Sequence, residues 1–174
     1  MTLTSTSAFV GASKQYIGWV KTTTRTSIAA SWFSVFDIAG SPGAGTLAGA
    51  STTAGVVPTD ATAGFPTIDA FGGGATGYLA QVDFGSSVAS RLKMFDCVWK
   101  GGAYSFNSNV TLSSQPSYAT RMPGGAYGDT QIWIEAVTAF TGNLSVAVTY
   151  TNQDGVAART TGTVATGVAP TLGR

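Results

Sequence analysis

The sequence predicts an all-β fold, specifically an antiparallel β-sandwich of jelly-roll-like type with one short helix and a long Gly-rich loop. Three observations lead to this prediction. Short apolar segments with alternating polarity recur after residue 77, turn signals separate them roughly every 8 to 12 residues, and βαβ alternation is missing. A chain of 174 residues with 44% hydrophobic residues is expected to form a single domain over residues 1–174.

The N-terminal 20 residues, rich in Thr and Ser, are expected to form an extended arm anchored by Tyr16 and Trp19. A first strand of the sheet is the alternative. Residues 1–20 therefore mark the one region expected to reach outside the domain.

The short helix is predicted in the segment that follows Thr26 or Ser27, either of which is a suitable N-cap. Gly40 and Pro42 end the pattern. The β-propensity of Trp, Phe and Val leaves a strand as the alternative. The residues at helical spacing are Ile28, Trp32, Phe33 and Phe36.

Residues 40–77 are dominated by Gly, Ala, Ser, Thr and Pro, interrupted by apolar residues such as Val56 and Phe65. We expect a long ordered loop of the kind that serves function or an interface, with a flexible surface loop as the alternative.

Strands are predicted next. The alternating or apolar segments that predict them are 77–85, 91–102, 109–114, 130–140, 144–151 and 156–164. The last three are expected to form an antiparallel meander, in which Asp154-Gly155 supplies the turn of the final hairpin.

Alternation in the middle strand of that meander predicts which side chains face the core. The inward set is Leu144, Val146, Val148 and Tyr150. The outward set is Ser145, Ala147, Thr149 and Thr151, which is small and uncharged and suits contact with a neighbouring subunit.

Charged residues make up only 10% of the chain, against about 25% in ordinary globular domains. A surface so poor in charge predicts coverage by other copies or partners, because colloidal stability otherwise relies on charge. The net charge of +1 gives no basic field for nucleic acid or anionic lipid, and no apolar run is long enough to span a membrane. The N-terminus also lacks the pattern of a secretory signal, so we expect folding in a cytoplasm.

Catalytic chemistry is not indicated. The chain has no histidine and one glutamate, Glu135, which the alternation places in mid-strand on the more polar face. Its seven aspartates are scattered, although Asp83 and Asp96 could face each other on neighbouring strands. Its single cysteine, Cys97, is expected to be buried and inert. These residues predict no catalytic site, no metal site and no bound cofactor. The Gly-rich runs lack the Lys-Ser/Thr ending of a Walker phosphate-binding motif. We interpret them as turns and as places where the backbone approaches another group closely.

Aromatic and basic residues leave two alternatives each. The tryptophans are expected mainly in the core, although exposed ones would suit a carbohydrate platform. The arginines suit either pairing with aspartates of a neighbouring subunit or ordinary surface charge. They are Arg25, Arg91, Arg121 and Arg159.

The order of three segments resembles a group of tailed-bacteriophage virion proteins. They are SWFSVFDIAGSPGAGTLAG (31–49), LKMFDCVWKGG (92–102) and QIWIEAVTAFTGNLSVAVTYTNQDGVAART (131–160). The resemblance runs from about Ser31 to Thr161 and does not include the N-terminal arm. It implies a jelly-roll or related β-sandwich that assembles on the virion as a head decoration (cement) or accessory subunit, without catalytic residues.

The sequence thus leads to two main hypotheses. The first is a homo-oligomer, with a trimer favoured, that binds the major capsid protein or other virion subunits. The second is a carbohydrate-binding module that recognises a cell surface through exposed Trp or Tyr side chains. A hydrolase with dispersed carboxylates is a third, weaker alternative.

Overall fold

A computed structural model of the protein describes residues 5–26, 28–29, 31–46, 55–102, 104–105, 107–125, 127–166 and 173. Within these ranges the chain is mainly strand and irregular structure, with one short α-helix and no closed barrel. The mainly-β character expected from the sequence is therefore observed. The strands form three small two-stranded antiparallel sheets.

The helix lies in the N-terminal arm, at Thr6–Gly11 (α1), and not after Thr26. Ser5 caps it, since its side-chain oxygen accepts a hydrogen bond from the Ala8 backbone nitrogen at 3.2 Å. The arm is held further along by Gln15, whose side-chain amide donates to the Asp69 carbonyl at 2.7 Å and accepts from the Asp69 backbone nitrogen at 2.9 Å. The arm therefore lies against the long Gly-rich loop of the same chain.

The helix predicted between Thr26 and Gly40 was wrong, as the described residues of this segment form none. Two backbone donors here pair with distant acceptors. Ser34 donates to the carbonyl of Gly173 at 2.7 Å, and Thr22, just before the segment, donates to that of Ala39 at 3.0 Å. The low helix propensity of Thr, Ser, Trp and Phe makes such non-local pairing competitive with a helix.

The first two-stranded sheet joins the N-terminal arm to the Gly-rich loop. In it, β1 (Val20–Lys21) pairs antiparallel with β2 (Gly40–Ser41). Gly40 is required here, because a Cβ at this position would lie 1.9 Å from the Val20 carbonyl oxygen. The Lys21 ammonium donates to the carbonyls of Ile38 and Pro42, each at 2.9 Å. The alternative of a strand near the end of the arm is thus observed over two residues.

The C-terminal hairpin is the best-formed part of the predicted meander. Ser145–Val146 (β3) pairs with Val164–Ala165 (β6), and Thr149–Tyr150 (β4) pairs with Arg159–Thr160 (β5), both antiparallel. The predicted alternation is present, because Leu144, Val146 and Val148 are half-buried while Ser145, Ala147 and Thr149 are exposed. Tyr150 departs from it and is 40% exposed.

The returning strand of the hairpin contains two bulges. Between the two ladders the outgoing strand advances three residues, from Val146 to Thr149, while the returning strand covers four, from Thr160 to Val164. A residue with positive φ lies in this interval, Gly162 at 73°. A second one, Ala158 at 57°, lies between β5 and the turn. One extra residue with positive φ is the signature of a G1-type bulge, which increases the local twist.

The other predicted strands do not form. Residues 77–99, 109–114 and 130–140, all of which are described, contain no strand. Lys100 makes only an isolated antiparallel bridge with Val56, with N···O distances of 2.7 and 2.9 Å. Their sequences have strand character, but a strand also needs a neighbour for its backbone donors and acceptors, and the described chain provides none.

The buried core of the described residues is small, and its members come from separate segments. Pro58 is fully buried, and Ile38 and Ala136 retain 8% and 3% of their exposure. Phe36 and Phe65 pack edge to face, with ring centroids 5.1 Å apart. In its described part, the loop therefore contributes a buried residue, Pro58, and a packed ring, Phe65. No helix among the described residues is long and apolar enough to cross a membrane.

Candidate binding surface

One polar cluster joins segments that are far apart in sequence. Arg25 and Asp37 form a salt bridge with side chains only 12% and 17% exposed. Ser34 hydrogen-bonds the carboxylate of Glu135, and the charges of Asp37, Lys100 and Arg25 act on the same carboxylate. The sequence placed Glu135 on a polar strand face, whereas the structure places it half-buried in this cluster.

Burial dominates the electrostatics of the cluster. It raises the pKa of Glu135, and the nearby Asp37 raises it further, against the opposing effects of Ser34, Lys100 and Arg25. Burial likewise lowers the pKa of Lys100, which Glu135 partly offsets. One oxygen of Glu135, Oε1, is buried and accepts no hydrogen bond from the described residues. The chemistry available here is proton uptake by a buried carboxyl, which couples to stability.

Arg121 organises a second polar anchor. Its guanidinium donates to the carbonyl of Pro58 at 2.7 Å and of Cys97 at 3.3 Å, and it pairs with Asp96. The Cys97 thiol is part-buried rather than buried, and burial raises its pKa, which disfavours the reactive thiolate. Arg25 and Arg121 thus pair within the chain, where the sequence suggested pairing between subunits.

The aspartates do not form an acidic site. Asp83, expected to face Asp96 across two strands, instead accepts hydrogen bonds from the Gln81 side chain at 2.9 and 3.0 Å, while Asp96 pairs with Arg121. Neither lies in a strand. Among the described residues no group of three His, Cys, Asp or Glu side chains is arranged to hold a metal ion.

The tryptophans are the main departure from expectation. Trp99 is half-buried in contact with two glycines, since a Cβ at Gly55 or Gly101 would lie 2.4 or 2.6 Å from its ring. Trp19, Trp32 and Trp133 are instead 46%, 46% and 51% exposed. Core packing was the wrong prediction for Trp32 and Trp133, because the helix and the strand that were to bury them do not form.

Two of the exposed tryptophans meet around a lysine. The Lys93 ammonium lies 4.3 Å from the ring centroid of Trp32 and 5.6 Å from that of Trp133. Phe95, 50% exposed, packs on Trp133 with centroids 4.9 Å apart. We call Trp32, Lys93, Phe95 and Trp133 the Lys93 surface. Cation–π attraction of this kind contributes about 0.5–1 kcal/mol at exposed sites.

The Gly-rich runs provide close approach, as predicted. A Cβ at Gly45 in the first run, SPGAGTLAG (41–49), would lie 2.2 Å from the Phe36 ring, and one at Gly77 in the second, FGGGATG (71–77), would lie 2.2 Å from the Phe71 ring. Residues 47–49 of the first run lie outside the described residues. The described part therefore uses glycine to seat an aromatic ring, with no arrangement typical of phosphate binding.

Comparison of the chain with family models, with curated proteins and with solved structures gives no match. The function is therefore inferred from the exposed surfaces and the polar clusters of the chain itself.

Proposed function

We propose that the protein is a non-enzymatic structural protein of a tailed-bacteriophage virion. It decorates the capsid and stabilises it by binding between capsid subunits as a homo-oligomer, with a trimer favoured. It is made in the cytoplasm of the bacterial host and ends in the virion. The observation that carries the proposal is the large apolar surface that the single chain leaves exposed.

The exposed surface is larger than one folded chain accounts for. The protein exposes 12,619 Å², whereas a folded monomer of this size exposes about 7,900 Å². The excess, roughly 4,700 Å² on one chain, is comparable with what a subunit of an obligate trimer loses in its two interfaces, at about 1,000–2,500 Å² per partner in each. A surface of this kind supports a subunit whose core is completed by its neighbours.

The segment 78–84 illustrates what a neighbour would cover. Tyr78, Leu79, Val82 and Phe84 are 58%, 71%, 47% and 51% exposed. The exposed apolar side chains occupy both odd and even positions, so an extended segment would present them on both of its faces. Both faces would then need to be covered, as in the interior of a sandwich. The jelly-roll-like sandwich expected from the sequence is proposed to form in the assembled oligomer, where strand addition supplies the missing backbone partners.

The mechanism of capsid stabilisation is mass action. A protein that binds the assembled shell and not its free subunits shifts the equilibrium towards the shell. The scarcity of charge favours such binding, because few ions need to be desolvated when the surface is covered.

Two measurements test the proposal. Sedimentation velocity of the purified protein is expected to give a defined oligomer, and mass spectrometry of purified virions is expected to detect the chain. A stable monomer that does not co-sediment with capsid shells would overturn it.

A carbohydrate-binding module is the second candidate, and the exposure of Trp19, Trp32 and Trp133 favours it. A glycan array is the appropriate test. Reproducible binding that is lost on replacing one exposed tryptophan would support this function, and an array without signal would argue against it.

A further inference from the structure

We propose that the Lys93 surface binds an acidic sugar, with the sugar ring stacked on an indole and its carboxylate held by Lys93. The inference rests on the second candidate function and names its site and its ligand class. It is independent of capsid binding.

The aromatic part of the surface suits a sugar ring. Trp32 and Trp133 each expose about half of their area, 46% and 51%, and Phe95 supports Trp133 from one side at 4.9 Å between centroids. A flat, partly buried aromatic ring supplies apolar contact at low conformational cost, while its polar edge stays in water.

The charge at the centre of the surface selects an anion. Lys93 carries three donors, and no described residue accepts a hydrogen bond from it or forms an ion pair with it. A carboxylate placed beside it would gain charge-assisted hydrogen bonds. A neutral sugar would offer hydroxyl acceptors to the Lys93 ammonium but no counter-charge.

The same charge argues against burial of this surface under a second copy of the chain. Covering an ammonium with apolar surface removes its hydration without providing a counter-charge, which is unfavourable. Burial is less costly at 78–84, where four exposed apolar side chains accompany a single charge, Asp83, whose carboxylate accepts hydrogen bonds from the Gln81 side chain. The two surfaces therefore suit different occupants, subunit contact at 78–84 and a small hydrated anion at Lys93.

The test compares an oligogalacturonate with its fully methyl-esterified form, measured by isothermal titration calorimetry on the intact protein. The two probes share a sugar backbone and differ in the carboxylate. We expect the free acid to bind at least about tenfold more tightly than the ester, and its affinity to fall with ionic strength.

Three variants test which side chains contact the sugar and its carboxylate. Lys93→Gln is expected to weaken binding of the acid about tenfold and to leave binding of the ester unchanged. Trp133→Ala is expected to weaken both. Phe71→Ala is the matched control, since Phe71 is an aromatic residue of similar exposure, 47%, that lies outside the Lys93 surface, and it is expected to bind as the wild type does.

The outcomes separate the two proposals. Equal affinity for acid and ester, or an unchanged affinity in Lys93→Gln, overturns the acidic-sugar site while leaving a carbohydrate-binding function in place. Absence of binding to both probes overturns the site as well.

Discussion

Ala158 and Gly162 determine the course of the returning strand at the residue scale. Both have positive φ, 57° and 73°, and both fall where the ladder gains a residue. An L-residue in this region costs about 1–2 kcal/mol, whereas glycine has no such penalty. Alanine at 158 therefore stores strain that glycine at 162 avoids.

Because Ala158 is strained and Gly162 is not, we expect substitutions at the two positions to change the free energy of unfolding in opposite directions. Ala158→Gly is expected to raise the free energy of unfolding by up to about 1 kcal/mol, after the greater entropy of glycine in the unfolded chain is subtracted. Gly162→Ala is expected to lower it by about 1 kcal/mol through the backbone alone, as an added Cβ would meet no atom within 4 Å. Urea unfolding measures both, and changes of the same sign would contradict the bulge assignment.

Glu135 gives a pH-dependent prediction. Its pKa in the folded protein is raised by burial, so its protonated form is favoured on folding. The stability that it contributes is present below its ordinary pKa and is lost as pH rises through the raised value. As pH falls from 7.5 to 4.5, the wild type should therefore gain stability relative to Glu135→Gln.

Thermal unfolding of both proteins across that pH range measures the difference. Asp129→Asn is the control, because Asp129 is exposed and lies outside the polar cluster. A stability difference between wild type and Glu135→Gln that does not change with pH would show that Glu135 does not take up a proton in this window.

The C-terminal hairpin depends on Asn152 at the scale of the element. Its side-chain oxygen accepts hydrogen bonds from the backbone nitrogens of Asp154 at 3.1 Å and Val156 at 2.8 Å, while Gly155 takes the positive φ of the turn. The Asp-Gly pair recognised in the sequence thus forms the turn together with an Asx contact that precedes it.

Removing that contact should loosen the hairpin. Asn152→Ala is expected to lower the free energy of unfolding by about 1–2 kcal/mol, because a half-buried side chain loses two hydrogen bonds from the backbone and a longer one, 3.3 Å, to the Asp154 carboxylate. Faster amide exchange between Thr149 and Thr160 would locate the effect. Gln153→Ala is the control, since its side chain makes one long hydrogen bond, 3.4 Å to Asp154, and an equal loss in both variants would contradict the role of Asn152.

The elements differ in how far the sequence predicts them. The hairpin was predicted because its alternation and its turn are local and lie within 22 residues, from Leu144 to Ala165. The helix after Thr26 was wrong because Arg25 pairs with Asp37 and Ser34 donates to Gly173, contacts that spacing does not reveal. The Lys93 surface was missed for the same reason, since Trp32, Lys93 and Trp133 come from three separate segments.

Exposed apolar surface dominates at the scale of the whole molecule, and it gives a prediction for assembly. Leu79 is 71% exposed in the single chain, so an aspartate there would disturb little in a monomer. In the proposed oligomer it would place an unpaired charge in an apolar interface. Leu79→Asp is therefore expected to dissociate the oligomer.

Sedimentation velocity across a concentration series measures this dissociation. Ser87→Asp is the control, because it adds the same charge at an exposed polar position of the same region. An oligomer that remains intact in Leu79→Asp would exclude residues 78–84 from the interface.

The sequence by itself determined the mainly-β character, the final hairpin with its alternating faces and the low proportion of charged residues. Each of these follows from composition or from neighbours along the chain. Only the tertiary structure decided that Glu135 is half-buried near Asp37 and Lys100, that Arg25 and Arg121 pair within the chain, and that Trp32 and Trp133 meet at Lys93. These features depend on which distant segments come together, and burial and charge pairing are properties of that arrangement.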